Sequence, residues 1–248
     1  MSLFSRIFKK EKVFPPADLS VLKTDVHSHL IPAIDDGSKS MDDSISMIRR
    51  FKEFGFTKVT TTPHVMIDFY KNTPEIILGG LEEVKKELTK NKINVSMSAA
   101  AEYYLDENLE EKIKNKELLT IGENYVLFEL PFMSEPPNLA STIFDLQTNG
   151  YKPILAHPER YGFWYQDFEK YRELKDKGVH LQLNILSLMG HYSPETKKIA
   201  ERLVDEELIS FLGTDCHNHG HLNLVEVART KEHLHKLLNS GLLLNHTI

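Results

Sequence analysis

His27 and His29 stand two residues apart at the end of an apolar run. In an extended chain, residues i and i+2 point to the same side, so both imidazoles can reach one metal ion. One His-x-His pair is weak ground, because a histidine at a strand end is more often satisfied by a hydrogen bond. Here the pattern recurs. His64 follows Thr60-Thr61-Thr62-Pro63, Glu102 follows residues 94–101, and His157 follows Pro153-Ile154-Leu155-Ala156. Asp215 and His217 follow residues 209–214, and Asp36 lies in the loop after His29. Imidazole nitrogens and carboxylate oxygens suit manganese, iron or zinc, and a chain with one cysteine has no thiolate cluster for structural zinc. These eight donors are too many for one ion. They suit two or three ions sharing carboxylate bridges, the arrangement that clamps attacking and leaving oxygens in phosphoryl hydrolysis.

The elements that must position these groups alternate. The β-branched or apolar runs at 21–26, 57–62, 94–101, 125–130, 152–156, 179–184 and 209–214 read as strands. Helical spacing predicts helices over 41–54, 74–90, 105–116, 139–147, 168–177, 194–206 and 224–239. Ser40 caps the first of these, Ile45, Ile48, Phe51 and Phe54 form its apolar face, and Gly55 ends it. Ser193 and Pro194 open another. Strand, loop and helix repeated about seven times imply a parallel sheet or an α/β barrel. Such barrels gather their βα loops, and hence their reactive groups, at the C-terminal ends of the strands.

The chain has 248 residues, 41% of them hydrophobic, enough for one large domain with a sizeable core. A net charge of -6 disfavours nucleic acid and anionic membrane as partners. The one cysteine, Cys216, excludes an internal disulfide and fits a cytoplasmic protein. No apolar run approaches the roughly 20 residues that span a bilayer. Residues 1–18 read as a basic tail ending at Phe14-Pro15-Pro16, and 19–248 as the domain. The tail is expected to be solvated, with weak membrane or partner contact as the alternative.

The ordered motifs carry a resemblance. Asp25-Val26-His27-Ser28-His29, Asp35-Asp36-Gly37, Thr62-Pro63-His64, Ala101-Glu102-Tyr103-Tyr104, Ala156-His157-Pro158-Glu159-Arg160-Tyr161 and Gly213-Thr214-Asp215-Cys216-His217-Asn218 are similar to those of the PHP (polymerase and histidinol phosphatase) superfamily. Within it, the chain resembles the CpsB/CapC-type bacterial tyrosine phosphatases of capsular and exopolysaccharide operons, over roughly residues 19–245. The resemblance implies a distorted (β/α)7 barrel and a trinuclear site, with Mn2+ favoured over iron or zinc. It implies phosphotyrosine on a cognate bacterial tyrosine kinase as substrate, and self-association. By position, it assigns His27, His29, Glu102 and Asp215 to one ion, and Glu102, His64 and His157 to a second. Asp36, His64 and His217 lie near a third. Asp25 is implied to orient a ligand histidine, and Arg160 to hold substrate phosphate with its planar fork.

One departure stands out. Related phosphatases carry an arginine shortly after Asp-x-His, whereas Asn218-His219-Gly220-His221-Leu222-Asn223 has none. Either His219 or His221 replaces it, or phosphate is held more weakly. Cys216 reads as a spacer between ligands, and the aromatic run around Tyr161, Phe163, Trp164 and Tyr165 as packing or the wall of a phenyl pocket. Two alternatives compete with phosphotyrosine hydrolysis. One is a small-molecule phosphoesterase such as a histidinol-phosphate phosphatase. The other is a metal-binding partner protein without turnover.

Overall fold

Parallel pairing organises the chain. In a computed structural model that describes residues 13–248, the strands are short and each functional loop follows one of them. β1 (Thr24–Asp25) is followed by α1 (Met41–Glu53), β2 (Lys58–Thr61), β3 (His64–Val65) and α2 (Pro74–Lys90). Then come β4 (Ser96–Ala99), β5 (Glu102–Tyr104), α3 (Glu107–Asn115), β6 (Tyr125–Glu129), α4 (Leu139–Thr148) and β7 (Lys152–Ala156). The rest is α5 (Glu169–Asp176), β8 (His180–Asn184), α6 (Pro194–Asp205), β9 (Ile209–Gly213), α7 (His219–Ala228) and α8 (Glu232–Leu238). The fold is α/β with two parallel sheets, ordered β1-β2-β4 and β3-β5-β6-β7-β8-β9.

Local rules act where the sequence places them. The Ser40 hydroxyl accepts from the Asp43 amide and starts α1, while Ile45, Ile48, Phe51 and Phe54 are all buried. Ser193 Oγ accepts from the Thr196 amide ahead of Pro194 and starts α6. Two expectations fail. Residues 21–26 are not one strand: Leu19–Leu22 is a 3-10 turn capped by Asp18, and Lys23 at φ 60° turns the chain into the two-residue β1. The helix expected over 224–239 is two helices. Asn218 caps α7 by accepting from His221, and residues 229–230 leave the helix. There the carbonyls of Arg229 and Thr230 accept from the amides of Ala17 and Phe14. The basic stretch 1–12 lies outside the described residues. No helix among the described residues is long and apolar enough to cross a membrane.

Both faces of the sheet are buried, as in parallel sheets covered by helices. Alternate residues divide the core. Val126, Phe128 and Leu155 face the helices, whereas Leu127, Ile154 and Phe211 join Val26, Ala100 and Ala156 in a small inner cluster. Glu102 pairs in register with Leu127, and Glu129 is two residues beyond Leu127 on the same face. The inner face is thus apolar at its base and carboxylate at its C-terminal rim.

The two sheets meet at a break. Pro63 separates β2 from β3 and has no N–H for the ladder. Its carbonyl accepts from the Glu102 amide at 3.1 Å, so pairing resumes one step further on and delivers Glu102 beside His64. On the other side β1 approaches β9. Near the rim they join through the parallel bridge Ser28–Cys216 and the bond from the Asp215 amide to the His27 carbonyl, 2.8 Å. Below it, side chains substitute for the ladder. Asp25 Oδ1 accepts from the Thr214 amide at 3.0 Å. The wholly buried Asn245 accepts from the Leu212 amide and donates to the carbonyls of Leu212 and Thr24. Asn245→Ala would strand three buried backbone groups, and we expect it to lower unfolding stability by about 2–4 kcal/mol in a urea titration. A loss below about 1 kcal/mol would show that the seam does not depend on this amide.

Candidate metal centre

The strand ends bring all eight predicted donors to one place. His27 Nε2 lies 3.2 Å from Glu102 Oε2 and 3.3 Å from Asp215 Oδ1. His29 Nε2 lies 3.5 Å and 3.4 Å from the same two oxygens, and 3.3 Å from His27 Nε2. Donors held about 2.1 Å from one ion, at angles of about 90–110°, stand about 3.0–3.5 Å apart. All five separations fall in that range. A second group surrounds Glu102 on its other side. His64 Nδ1 is 3.1 Å from Glu102 Oε2 and 3.2 Å from Glu129 Oε1, and His157 Nε2 is 3.0 Å from Glu102 Oε1. In a third, His64 Nε2 and His217 Nε2 lie 3.5 Å and 3.4 Å from Asp36 Oδ1. The His29 and His217 rings stack at 3.9 Å between the first group and the third.

These donors fit a cation better than they fit each other. Glu102 Oε2 and His64 Nδ1 are buried, and neither has a hydrogen-bond partner among the described residues, although they lie 3.1 Å apart. Their orientation suits two ligands of a shared ion rather than a donor and its acceptor. A buried polar atom without a partner is costly, and a cation satisfies several at once.

The structure revises two assignments. The second group, expected as Glu102, His64 and His157, also contains Glu129. This residue was legible as a charge at the end of an apolar strand, sharing the parity of Leu127. Orienting the imidazoles of His29 and His27 falls to Asp35 and Gln182 rather than to Asp25. Asp35 Oδ2 meets His29 Nδ1 and Gln182 Oε1 meets His27 Nδ1, each at 2.8 Å. Asp25 instead binds the Thr214 backbone, and its burial raises its pKa to about 7. Asp35 was hidden beside Asp36, and Gln182 inside an apolar strand. Gly37 is needed in this loop because a Cβ there would collide with the Cβ and carbonyl oxygen of His29.

Backbone strain gathers at the same rim. His157 and Asp215 have φ of 33° and 48°, the left-handed region that L residues seldom adopt. Pro158–Arg160 forms a 3-10 turn, so Arg160 comes back over the site with Nη1 3.3 Å from Asp215 Oδ2. The donors open into a cavity of about 510 Å³, lined elsewhere by Met66, Tyr70, Tyr104, Phe132 and His221. Of the two candidates for the missing arginine, His221 reaches this cavity, whereas His219 lines a separate one of about 150 Å³. Cys216 is fully buried, and burial holds its thiol well above the usual range, which removes it as a nucleophile.

The capsular polysaccharide synthesis family CpsB/CapC matches residues 23–240. The chain belongs to this family. It is 32% identical to the tyrosine-protein phosphatase YwqE of Bacillus subtilis (strain 168) over 195 residues, 78% of this chain and 77% of that one. It is 26% identical to the tyrosine-protein phosphatase CpsB of Streptococcus agalactiae serotype V over 200 residues, 78% of this chain and 82% of that one. Crystal structures of YwqE from Bacillus subtilis and CpsB from Streptococcus pneumoniae are described as unique metal-dependent tyrosine phosphatases. The match there has a TM-score of 0.75 and 30% identity, covering 86% of this chain and 84% of that one.

In this CpsB/CapC member, burial opposes charge on His27 and His64, but the surrounding carboxylates, Glu102 first, outweigh it and raise both imidazoles to about 10. Burial likewise pushes Glu102 and Asp215 up, yet the histidines, His27 first, hold both well below the usual carboxylate range. Without ions, protons on His27 and His64 offset the carboxylate charge. Relative to an unperturbed imidazole at 6.5, these raised values stabilise the fold fully below pH 6.5, and the contribution is lost as pH rises through about 10. We therefore expect chelator-treated protein to show a falling urea midpoint between pH 6.5 and 10, and added Mn2+ to flatten that slope by replacing the protons. Equal slopes with and without Mn2+ would show that the cation does not bind these histidines.

Proposed function

We propose that this chain is a metal-dependent protein-tyrosine phosphatase. The observation that carries the reading is the convergence of three donor groups and Arg160 on one cavity whose wall includes Tyr70, Tyr104 and Phe132. Mixed imidazole and carboxylate donors without a thiolate accept manganese, iron or zinc, and Mn2+ is the ion that the family resemblance implies. One ion would be held by His27, His29, Glu102 and Asp215, and a second by Glu102, Glu129, His64 and His157. A third would lie among Asp36, His64 and His217. Bound divalent ions supply Lewis-acid polarisation of phosphoryl oxygens and activation of water at neutral pH.

The chain's own residues do the rest. Arg160 presents a fixed positive charge to phosphoryl oxygens, where charge develops in the transition state. Tyr70, Tyr104 and Phe132 offer faces for a phenyl ring, and Tyr70 stacks on His64 at 5.5 Å, which sets that ring's depth relative to the donors. Buried donors and strained loops keep the geometry fixed before substrate arrives, and no side-chain nucleophile is required. We further propose that β2 with β3, and β4 with β5, are two strands each broken once, so that nine short strands make seven. The Ser28–Cys216 bridge then closes one distorted (β/α)7 barrel with the site at its C-terminal rim. Residues 19–248 form that domain, and residues 14–17 of the tail run along the end of α7.

The substrate we infer is a tyrosine-phosphorylated protein, a cognate tyrosine kinase acting in capsular or exopolysaccharide synthesis. The family and the names of its phosphatase members support this, and the absence of disulfides supports a cytoplasmic setting. The test is turnover of a tyrosine-phosphorylated peptide and of histidinol phosphate, after metal removal and Mn2+ restoration. We expect peptide turnover that requires Mn2+ and falls about 100-fold or more in His157→Ala. Turnover of histidinol phosphate alone would overturn the substrate. Silence toward both with Mn2+ demonstrably bound would overturn the enzymatic reading.

A further inference from the structure

Arg160 is held more tightly than a substrate-binding arginine at a cavity mouth need be. Its guanidinium carbon lies 4.1 Å from the centre of the Tyr192 ring and 4.8 Å from that of Phe132. One edge is 3.3 Å from Asp215 Oδ2. Asp215 Oδ1 faces His27 and His29, so one carboxylate joins the metal donors to the arginine. The Tyr192 hydroxyl accepts from Asn184 Nδ2 at 2.7 Å, and the same Nδ2 donates to Asp215 Oδ2 at 2.8 Å. The Asn184 amide is in turn bonded to Glu159, the residue before Arg160. The contacts form a closed circuit from Arg160 through Tyr192, Asn184 and Asp215.

The sequence delivers Tyr192 to this place by local means. Ile185–Met189 is a 3-10 turn started by the Asn184 side chain, which accepts from the Leu186 amide. Gly190 ends that turn at φ 74°, a conformation that favours glycine, and Ser193 starts α6 immediately afterwards. Tyr192 is thereby fixed between two caps, with its ring beneath the guanidinium.

We propose that Tyr192 is a positioning residue that preorganises Arg160 for the phosphoryl group of the substrate. The inference rests on the phosphatase reading and deepens it. A long arginine side chain loses much rotamer freedom when it is pinned. The ring pins it during folding, so that loss is not incurred on binding, and substrate affinity rises. The hydroxyl is secondary, because Asn184 grips Asp215 directly.

The experiment compares Tyr192→Leu and Tyr192→Phe with the wild-type protein, each loaded with Mn2+ and matched for Mn2+ content. Two readouts are used: KM and kcat for a tyrosine-phosphorylated peptide, and the dissociation constant of inorganic phosphate by calorimetry. We expect Tyr192→Leu to raise KM and weaken phosphate binding about 5- to 30-fold, with a smaller change in kcat, and Tyr192→Phe to stay within about threefold of wild type. Phosphate affinity within about twofold of wild type in Tyr192→Leu would overturn the proposal. So would equal damage in the two variants, since the ring would then not be the operative part. Arg160→Met separates the two ideas. If wild type turns over no peptide yet binds phosphate through Arg160, the phosphatase reading fails while the Tyr192 inference is still decided by calorimetry.

Discussion

Glu102 is wholly buried among four histidines at the floor of the cavity, and the rest of the structure answers to that carboxylate. A buried charge is tolerated only where opposite charge or well-aimed donors surround it. Here Glu102 Oε2 faces nitrogens of His27, His29 and His64, and Oε1 faces His157. Protons on His27 and His64, or divalent cations in their place, would neutralise it, so acidity and metal occupancy would compete for the same volume. A cation bound there would enter the fold's charge balance as well as its chemistry.

Holding this charge in place requires a rigid rim. The break at Pro63 sets Glu102 beside His64, and the seam between β1 and β9 sets His27 and His29 beside Asp215. At the seam, Asp25 and Asn245 take over the work of ladder hydrogen bonds, which explains why two polar side chains that do not line the cavity are buried. Asp25 thus serves the site through the backbone of β9 and not through an imidazole. Left-handed backbone at His157 and Asp215 is held in the same way, by turns and bonds that leave those residues no easier conformation.

The cavity is polar at its floor and aromatic on one side. The carboxylates at the floor are paired with imidazoles, and a net charge of -6 disfavours a polyanion such as nucleic acid. Arg160 is the exception, a half-buried cation held between two rings. An arginine kept this way retains its charge at any accessible pH and its fork geometry in the resting protein.

The sequence by itself determined the alternation of strands and helices and the placing of donors after strands. It also determined the cap residues Ser40 and Ser193 and, through the resemblance, the family. These are local or periodic properties, readable from neighbouring residues along the chain. Only the tertiary structure decided that Glu129 joins the donors, because its meaning depends on register with Glu102 across the sheet. It alone assigned Gln182 to His27 and Asp25 to the seam, since a hydrogen-bond partner 155 or 189 residues away leaves no mark in local sequence, and it alone showed that Asp35 rather than its neighbour Asp36 meets the Nδ1 of His29. The division of the last helix and the shortening of β1 belong to the same class. Both follow from what a distant segment or a single left-handed residue does to the backbone, and neither alters the hydrophobic period from which the elements were read.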